Sequence, residues 1–180
     1  MFFEKLSTTH KDFISRQHMF FVATSPKSGR INLSPKGMDS LRIIDEHTIS
    51  WLNLTGSGNE TAAHLLENGR ITLMMCAFEG KPNILRIYGT GYSIYPSDPN
   101  WDLRIQLFPD LPGVRQIVDI TIESVQDSCG FAVPFYDFKS QRDQLTKWAT
   151  HKGEEGVKKY WSEKNTKSID GLETGILDRS

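Results

Sequence analysis

Residues 30–37, RINLSPKG, and residues 53–61, NLTGSGNET, hold residue types at a spacing that could grip an anion. The first stretch offers Ser34 and Lys36; the second offers Ser57, Thr61 and glycine-flanked backbone amides ahead of a helix-forming run. A helix opening leaves N–H groups unpaired and carries a partial positive charge, which together suit a phosphate. If the strands bearing these residues are neighbours, hydroxyls, one ammonium and several amides converge through charge-assisted hydrogen bonds. The same residues also make an ordinary turn lysine and an ordinary cap. Spacing alone leaves both readings open.

Other chemistries have less behind them. His10, His18, His47, His64 and His151 are scattered without metal-ligand spacing, and Cys76 and Cys129 lie outside any Cys/His cluster. The chain has no G-x-S-x-G elbow, no G-x-G-x-x-G after a strand and no G-x-x-x-x-G-K-[ST]. His64 reads as a structural residue of its helix. Trp51, Trp101, Trp148 and Trp161 are spaced too irregularly for a stacking platform, so core and interface roles fit them better. Arg42 and Arg86 fall inside strands, where an arginine needs a partner or a wet cavity, and each is a secondary site candidate.

The elements that must position these residues follow from periodicity. Residues 3–17 read as an opening amphipathic helix with Leu6, Phe13 and Ile14 on its apolar side. Seven extended runs follow: HMFFVATSP, INLSPKG, LRIID, TISWLNL, RITLMMCAF, NILRIYGTGYSIY and VRQIVDITIESVQD. Between the fourth and fifth, a helix is signalled at both ends. Ser57 and Glu60 fit an S-x-x-E capping box, and Gly69 suits the left-handed position past the last turn. Gly89 and Gly91 inside a strand suggest a bulge or a close backbone approach. SDPNWDLRIQLFP carries a helix signature with Pro99 in the first turn. Residues 140–166 give two short charged helices broken around Gly153, and residues 170–180 a loose tail. Short strands joined by tight turns, with helices outside, favour a mainly β fold built as a closed or nearly closed antiparallel barrel.

With 180 residues, 38% hydrophobic and 24% charged, the chain fits one soluble domain with a sizeable core, or one domain plus an appended helical segment. A net charge of −1 supplies no basic field for nucleic acid or anionic lipid. A small barrel serving as a nucleic-acid module would need a basic, aromatic face. No stretch nears the roughly 20 apolar residues of a membrane helix, and the opening residues do not read as a signal peptide. The expectation is a cytoplasmic protein with two buried, reduced thiols.

RINLSPKG, TISWLNLTGSGNETAAHLLENGRITLMM and LRIYGTGY, in this order and spacing, resemble successive core segments of the pyridoxamine 5′-phosphate oxidase-like split-barrel flavoproteins. The resemblance is best over residues 15–95. CGFAVPFY and KYWSEKNTKSIDGL resemble a subfamily of FMN-binding proteins related to that oxidase. The resemblance implies a homodimeric, six-stranded antiparallel split β-barrel that binds FMN at the subunit interface. Residues 1–135 would form the flavin-binding barrel, and residues 136–180 its helical cover and tail. Carried over by position, Arg30, Asn32, Ser34 and Lys36 run along the flavin ring toward its phosphate. Asn53 and Thr55 end the neighbouring strand, and Asn59 and Thr61, with Ser57, open the phosphate-binding helix. Asn165 and Ser168 of the tail lie near the cleft. No catalytic side chain is implied.

The chain departs from the pattern at two places. The oxidase carries an Arg-Lys pair where this sequence has Glu60 and Thr61. An acid there repels a phosphate of about −1.5 to −2 charges unless it turns back onto its cap. Residues 129–168 also hold no counterpart of the oxidase's C-terminal substrate residues. The implied function is therefore an FMN-dependent oxidoreductase acting on a small-molecule redox substrate or with a nicotinamide donor. The alternative is a non-catalytic flavin carrier or sensor. The substrate stays open, as does a deazaflavin or haem in place of FMN.

Overall fold

All seven extended runs form strands of one antiparallel sheet in the computed structural model, which describes residues 1–179. In chain order the elements are β1 (Phe2–Phe3), α1 (Thr8–Ser15), β2 (Phe20–Thr24), β3 (Asn32–Lys36), β4 (Leu41–Ile43) and β5 (Thr48–Leu54). They continue with α2 (Glu60–Asn68), β6 (Arg70–Cys76), β7 (Ile84–Ile94), α3 (Trp101–Ile105), β8 (Val114–Ser128), α4 (Gln144–Lys164) and α5 (Ile176–Arg179). The strand order is β3-β2-β6-β7-β8-β5-β4, with β1 added to β8. The sheet thus has one strand more on its path than the six implied by resemblance, plus the short β1. None of the helices among the described residues is long and apolar enough to cross a membrane.

Alternation along the strands divides the interior. Ile49 and Trp51 of β5 join Val22, Leu73, Ile87 and Val118 in the main core, while Leu52 turns to the other face with Ile94, Phe108 and Ile117. A period of two makes this division automatic. Each such large apolar side chain contributes about 1.5–3 kcal/mol on burial. A third cluster of Tyr95, Ala149, Val157, Trp161 and Ile176 docks α4 and α5.

Several local expectations need correction. The opening helix spans only Thr8–Ser15, with Ser7 as its cap, because Phe2 and Phe3 pair with Gln126 and Val125 instead. Pro99 lies ahead of the α3 cap Asn100 rather than inside the first turn. The two charged helices, by contrast, are present as expected: within Gln144–Lys164 they are separated at Gly153, whose φ of 67° breaks the helical path, and the span is labelled α4 as a whole. Residues 170–179 are not loose: Thr174 and Ile176 are buried, and the Tyr95 hydroxyl donates to the Thr174 carbonyl at 3.1 Å, while Ser180 lies outside the described residues. Cys76 is buried, but Cys129 is exposed.

The glycine bulge is present: β7 and β8 shift register between Tyr88 and Gly89. A Cβ at Gly89 would overlap the Thr121 carbonyl oxygen, which as backbone cannot yield. Gly89→Ala will lower Tm by roughly 5–10 °C, from about 2–3 kcal/mol of overpacking. Gly156 in α4 meets only ordinary contacts from Lys152, so Gly156→Ala will gain about 0.5–1 kcal/mol. Thermal denaturation of both variants checks the pair.

Candidate functional site

β3 and the turn from β5 into α2 face each other across a cleft of about 450 Å³. That volume sits within the roughly 300–1,000 Å³ typical of ligand pockets. Arg30, Asn32, Ser34 and Lys36 line it from the β3 side, and Asn53, Ser57, Asn59 and Thr61 from the β5–α2 side. The Asn32 amide ties the two walls together. It donates to the Thr24 and Thr61 hydroxyls, both at 3.2 Å, while its oxygen accepts from Ser34 at 2.9 Å.

Thr55, Asn165 and Ser168 stand just behind the cleft-lining residues rather than among them. The Thr55 hydroxyl donates to the Gly113 carbonyl at 2.7 Å and accepts from the Trp161 indole at 2.8 Å, fastening α4 behind the site. Asn165 is fully buried beneath the cleft, and the Ser168 hydroxyl accepts from the Leu172 N–H inside its own turn. Arg42 pairs with Asp39, and Arg86 donates to Ser128, so neither secondary candidate reaches the cleft.

The capping box does not form. The helix opens at Glu60 with Asn59 as its cap, and no side chain caps it. In the first helical position Glu60 cannot reach back as a third-position acid would. Both of its carboxylate oxygens instead accept from the Ile169 N–H at 3.1 Å. The amides opening α2 are therefore left for another acceptor. Gly69 ends the helix in the left-handed conformation, φ 71°, as its position suggests.

Arg115 is the residue that sequence reading missed. β5 and β8 keep register to Asn53↔Gln116 and resume at Leu54↔Val114, so Arg115 is an extra residue at a bulge. A bulge re-aims a side chain, and this one delivers a guanidinium to the cleft wall. Arg115 is 2% exposed, yet its hydrogen-bond partners are all neutral: Gly58 O at 2.8 Å, Asn165 Oδ1 at 2.9 Å and Asn53 Oδ1 at 3.4 Å. Burial holds its pKa down to about 10, so it is still charged at neutral pH. Lys36 lies nearby, its ammonium 5.0 Å from the Trp51 ring centroid. Burial first, and the Arg115 charge second, lower Lys36 to about 8.

Buried polar groups are normally hydrogen-bonded. Around the start of α2, Arg115 Nε, Asn59 Nδ2 and Gln116 Oε1 are buried without a partner among the described residues. Two of the three are donors on residues that line the cleft. Two cations, unpaired donors and a free helix start make a site for an anion of more than one charge. A larger cavity of about 980 Å³ lies between α1 and residues 136–139, but none of these unpartnered atoms belongs to it.

Residues 6–129 match the family model described as pyridoxamine 5′-phosphate oxidase. The chain belongs to the pyridoxamine 5′-phosphate oxidase family. Within that family, ustO of Aspergillus flavus, a pyridoxamine 5′-phosphate oxidase family protein, is 36% identical over 96% of this chain and 76% of its own length. The fold is that of HupZ from Group A Streptococcus, with a TM-score of 0.57 and 21% identity over 69% of this chain and 94% of that one. It is also that of an FAD-binding protein from Mycobacterium smegmatis, with a TM-score of 0.51 and 13% identity over 69% of this chain and 96% of that one. The family fold is the split barrel, and the sheet described above is this chain's version of it.

Proposed function

We propose that this family member binds FMN in the cleft between β3 and α2 and works as an FMN-dependent oxidoreductase. The observation that carries the proposal is Arg115, a buried guanidinium without a carboxylate partner among the described residues, set beside Lys36 at a helix start. Such a desolvated cation is costly unless an anion meets it. The residues fit the phosphate end of FMN: Arg115, Lys36, the Thr61 and Ser57 hydroxyls and the α2 amides would hold it. Asn32, Ser34 and Asn53 offer amide and hydroxyl groups along the cleft toward the ring.

Bound flavin supplies the redox chemistry, and the protein supplies position and water exclusion. Among the described residues Glu60 is the only carboxylate lining the cleft, and it is engaged with the Ile169 amide. No side chain of the site is therefore assigned as an acid or base. β3 ends the sheet path, and Ile31 and Leu33, exposed at 75% and 62%, stand on the cleft rim. An open edge with apolar residues invites another surface. In this proposal a second copy of the chain covers it, completing the flavin site.

Flavin loading tests the reading. Added FMN will perturb the flavin spectrum and raise Tm, with about 2.7 kcal/mol of stabilisation at 100 times Kd. Sedimentation at micromolar concentration will show a dimer. Loaded protein will oxidise NADH or NADPH faster than free FMN does. Loading without turnover would favour the flavin carrier, and no spectral or thermal response would end the flavin assignment.

A further inference from the structure

The segment after α4 crosses from one wall of the cleft to the other as a tight hairpin. Lys167 pairs with Glu173, the Ser168 N–H donates to Leu172 O at 2.8 Å, and the Gly171 N–H returns to Ser168 O at 2.9 Å. Gly171 takes a φ of 84°, which a glycine adopts without strain. The base is anchored in buried structure. The Thr174 hydroxyl donates to Asn165 O at 2.6 Å, and the Asn165 amide donates to Gly56 O at 3.1 Å.

The tip is latched at two points. The Ile169 N–H donates to the Glu60 carboxylate at the first residue of α2. The Asp170 carboxylate accepts from the Arg30 N–H at 2.7 Å and from the Arg30 guanidinium, just ahead of β3. Those hydrogen bonds hold the Asp170 carboxyl below its ordinary range. Gly29 makes room for the latch, since a Cβ there would lie 2.6 Å from Asp170 Oδ2. Between the latches the Ile169 side chain, 69% exposed, lines the cleft.

Both latches flank the start of α2: one is on Glu60 itself, and the other is two residues ahead of Asn32, whose amide donates to Thr61 of that helix. The clasp therefore bounds the ligand beyond its phosphate. We infer that residues 168–171 close the phosphate end of the cleft, so that Ile169 and Glu60 make the site selective for a flavin mononucleotide over a dinucleotide. This rests on the flavin reading above and goes beyond it.

A mononucleotide ends at its phosphate. A dinucleotide continues through a second phosphate, a ribose and a base, and that continuation must displace Ile169 or run beside the Glu60 carboxylate. One obstacle is steric and the other is like-charge repulsion, the two usual means of rejecting a wrong ligand. The fold alone does not make this choice, since its M. smegmatis representative is an FAD-binding protein. The inference also gives Glu60 a purpose at a helix start facing an anion. Its charge suits the helix dipole and is held by the clasp amide rather than aimed at the phosphate.

Fluorescence titration of the apo full chain with FMN, FAD and riboflavin decides the matter. The wild type will bind FMN at least about tenfold more tightly than FAD. Ile169→Gly, which removes the barrier, and Asp170→Ala, which unlatches the turn, will each narrow that ratio by at least about fivefold. Denaturation curves confirm that both variants are folded. A wild-type preference below that tenfold mark, or a ratio unmoved in both variants, overturns the inference while leaving FMN binding intact. Binding of none of the three flavins overturns the flavin reading and the clasp's role together, a distinct outcome.

Discussion

Replacing Arg115 with methionine will weaken FMN binding by at least about 100-fold while changing riboflavin affinity by no more than roughly fivefold. Hydrogen bonds to charged groups are worth about 1.5–3 kcal/mol each, and a buried guanidinium can offer a phosphate two of them. Riboflavin has the same ring without the phosphate, so it separates loss of the anion contact from general damage. The apo protein will change in Tm by only a few degrees. Removing a desolvated charge offsets the loss of its bonds to Gly58, Asn165 and Asn53. Calorimetric titration with both ligands is the measurement. Equal losses for FMN and riboflavin would place the phosphate elsewhere.

Lys36 makes the second expectation one of pH. Between pH 7 and 9.5 FMN affinity will fall by roughly tenfold or more, while riboflavin affinity stays nearly level. Burial and the Arg115 charge lower the free protein's Lys36 to about 8. A bound phosphate favours the ammonium and raises that value. The complex then binds more protons than the free protein above about pH 8, so affinity declines as pH rises. The apo protein shows the opposite slope in stability. Its folded Lys36 titrates near 8 and its unfolded one near 10.5. Between those values the unfolded chain holds more protons, and stability rises with pH. Below about pH 8 both states are protonated and the burial penalty is felt in full. Lys36→Met will flatten the FMN profile. A wild-type profile that is already flat would show that this ammonium does not touch the ligand.

The strands were legible because β7 alternates along most of its length, while β5 and β8 contain runs of consecutive buried residues rich in apolar and β-branched types and bounded by turns. Most of the cleft followed, since β3 and the start of α2 bring their polar residues together once the sheet forms. Arg115 was harder to see for a physical reason. Its position at a bulge belongs to the pairing of two strands sixty residues apart, and no local pattern in either one contains it. The available signal was an arginine in the mostly apolar run VRQIVDI, the same oddity noted at Arg42 and Arg86. The Ser57–Glu60 capping box misled because S-x-x-E matches in sequence while the helix begins later, and a distant amide claims the acid. The clasp was hidden because glycines and charges read as a tail until Thr174 and Ile176 are seen buried.

The extra residue in β8 carries one more implication, for anyone who wishes to make this protein sturdier. Design by regularity would delete position 115 and let β5 and β8 zip without interruption. That edit would trade the molecule's appetite for its ligand against a tidier ladder, a familiar conflict between robustness and activity. On the proposed flavin reading, libraries screened only for heat tolerance will drift toward straightened proteins that no longer take up FMN, and selection should keep flavin uptake as a second criterion.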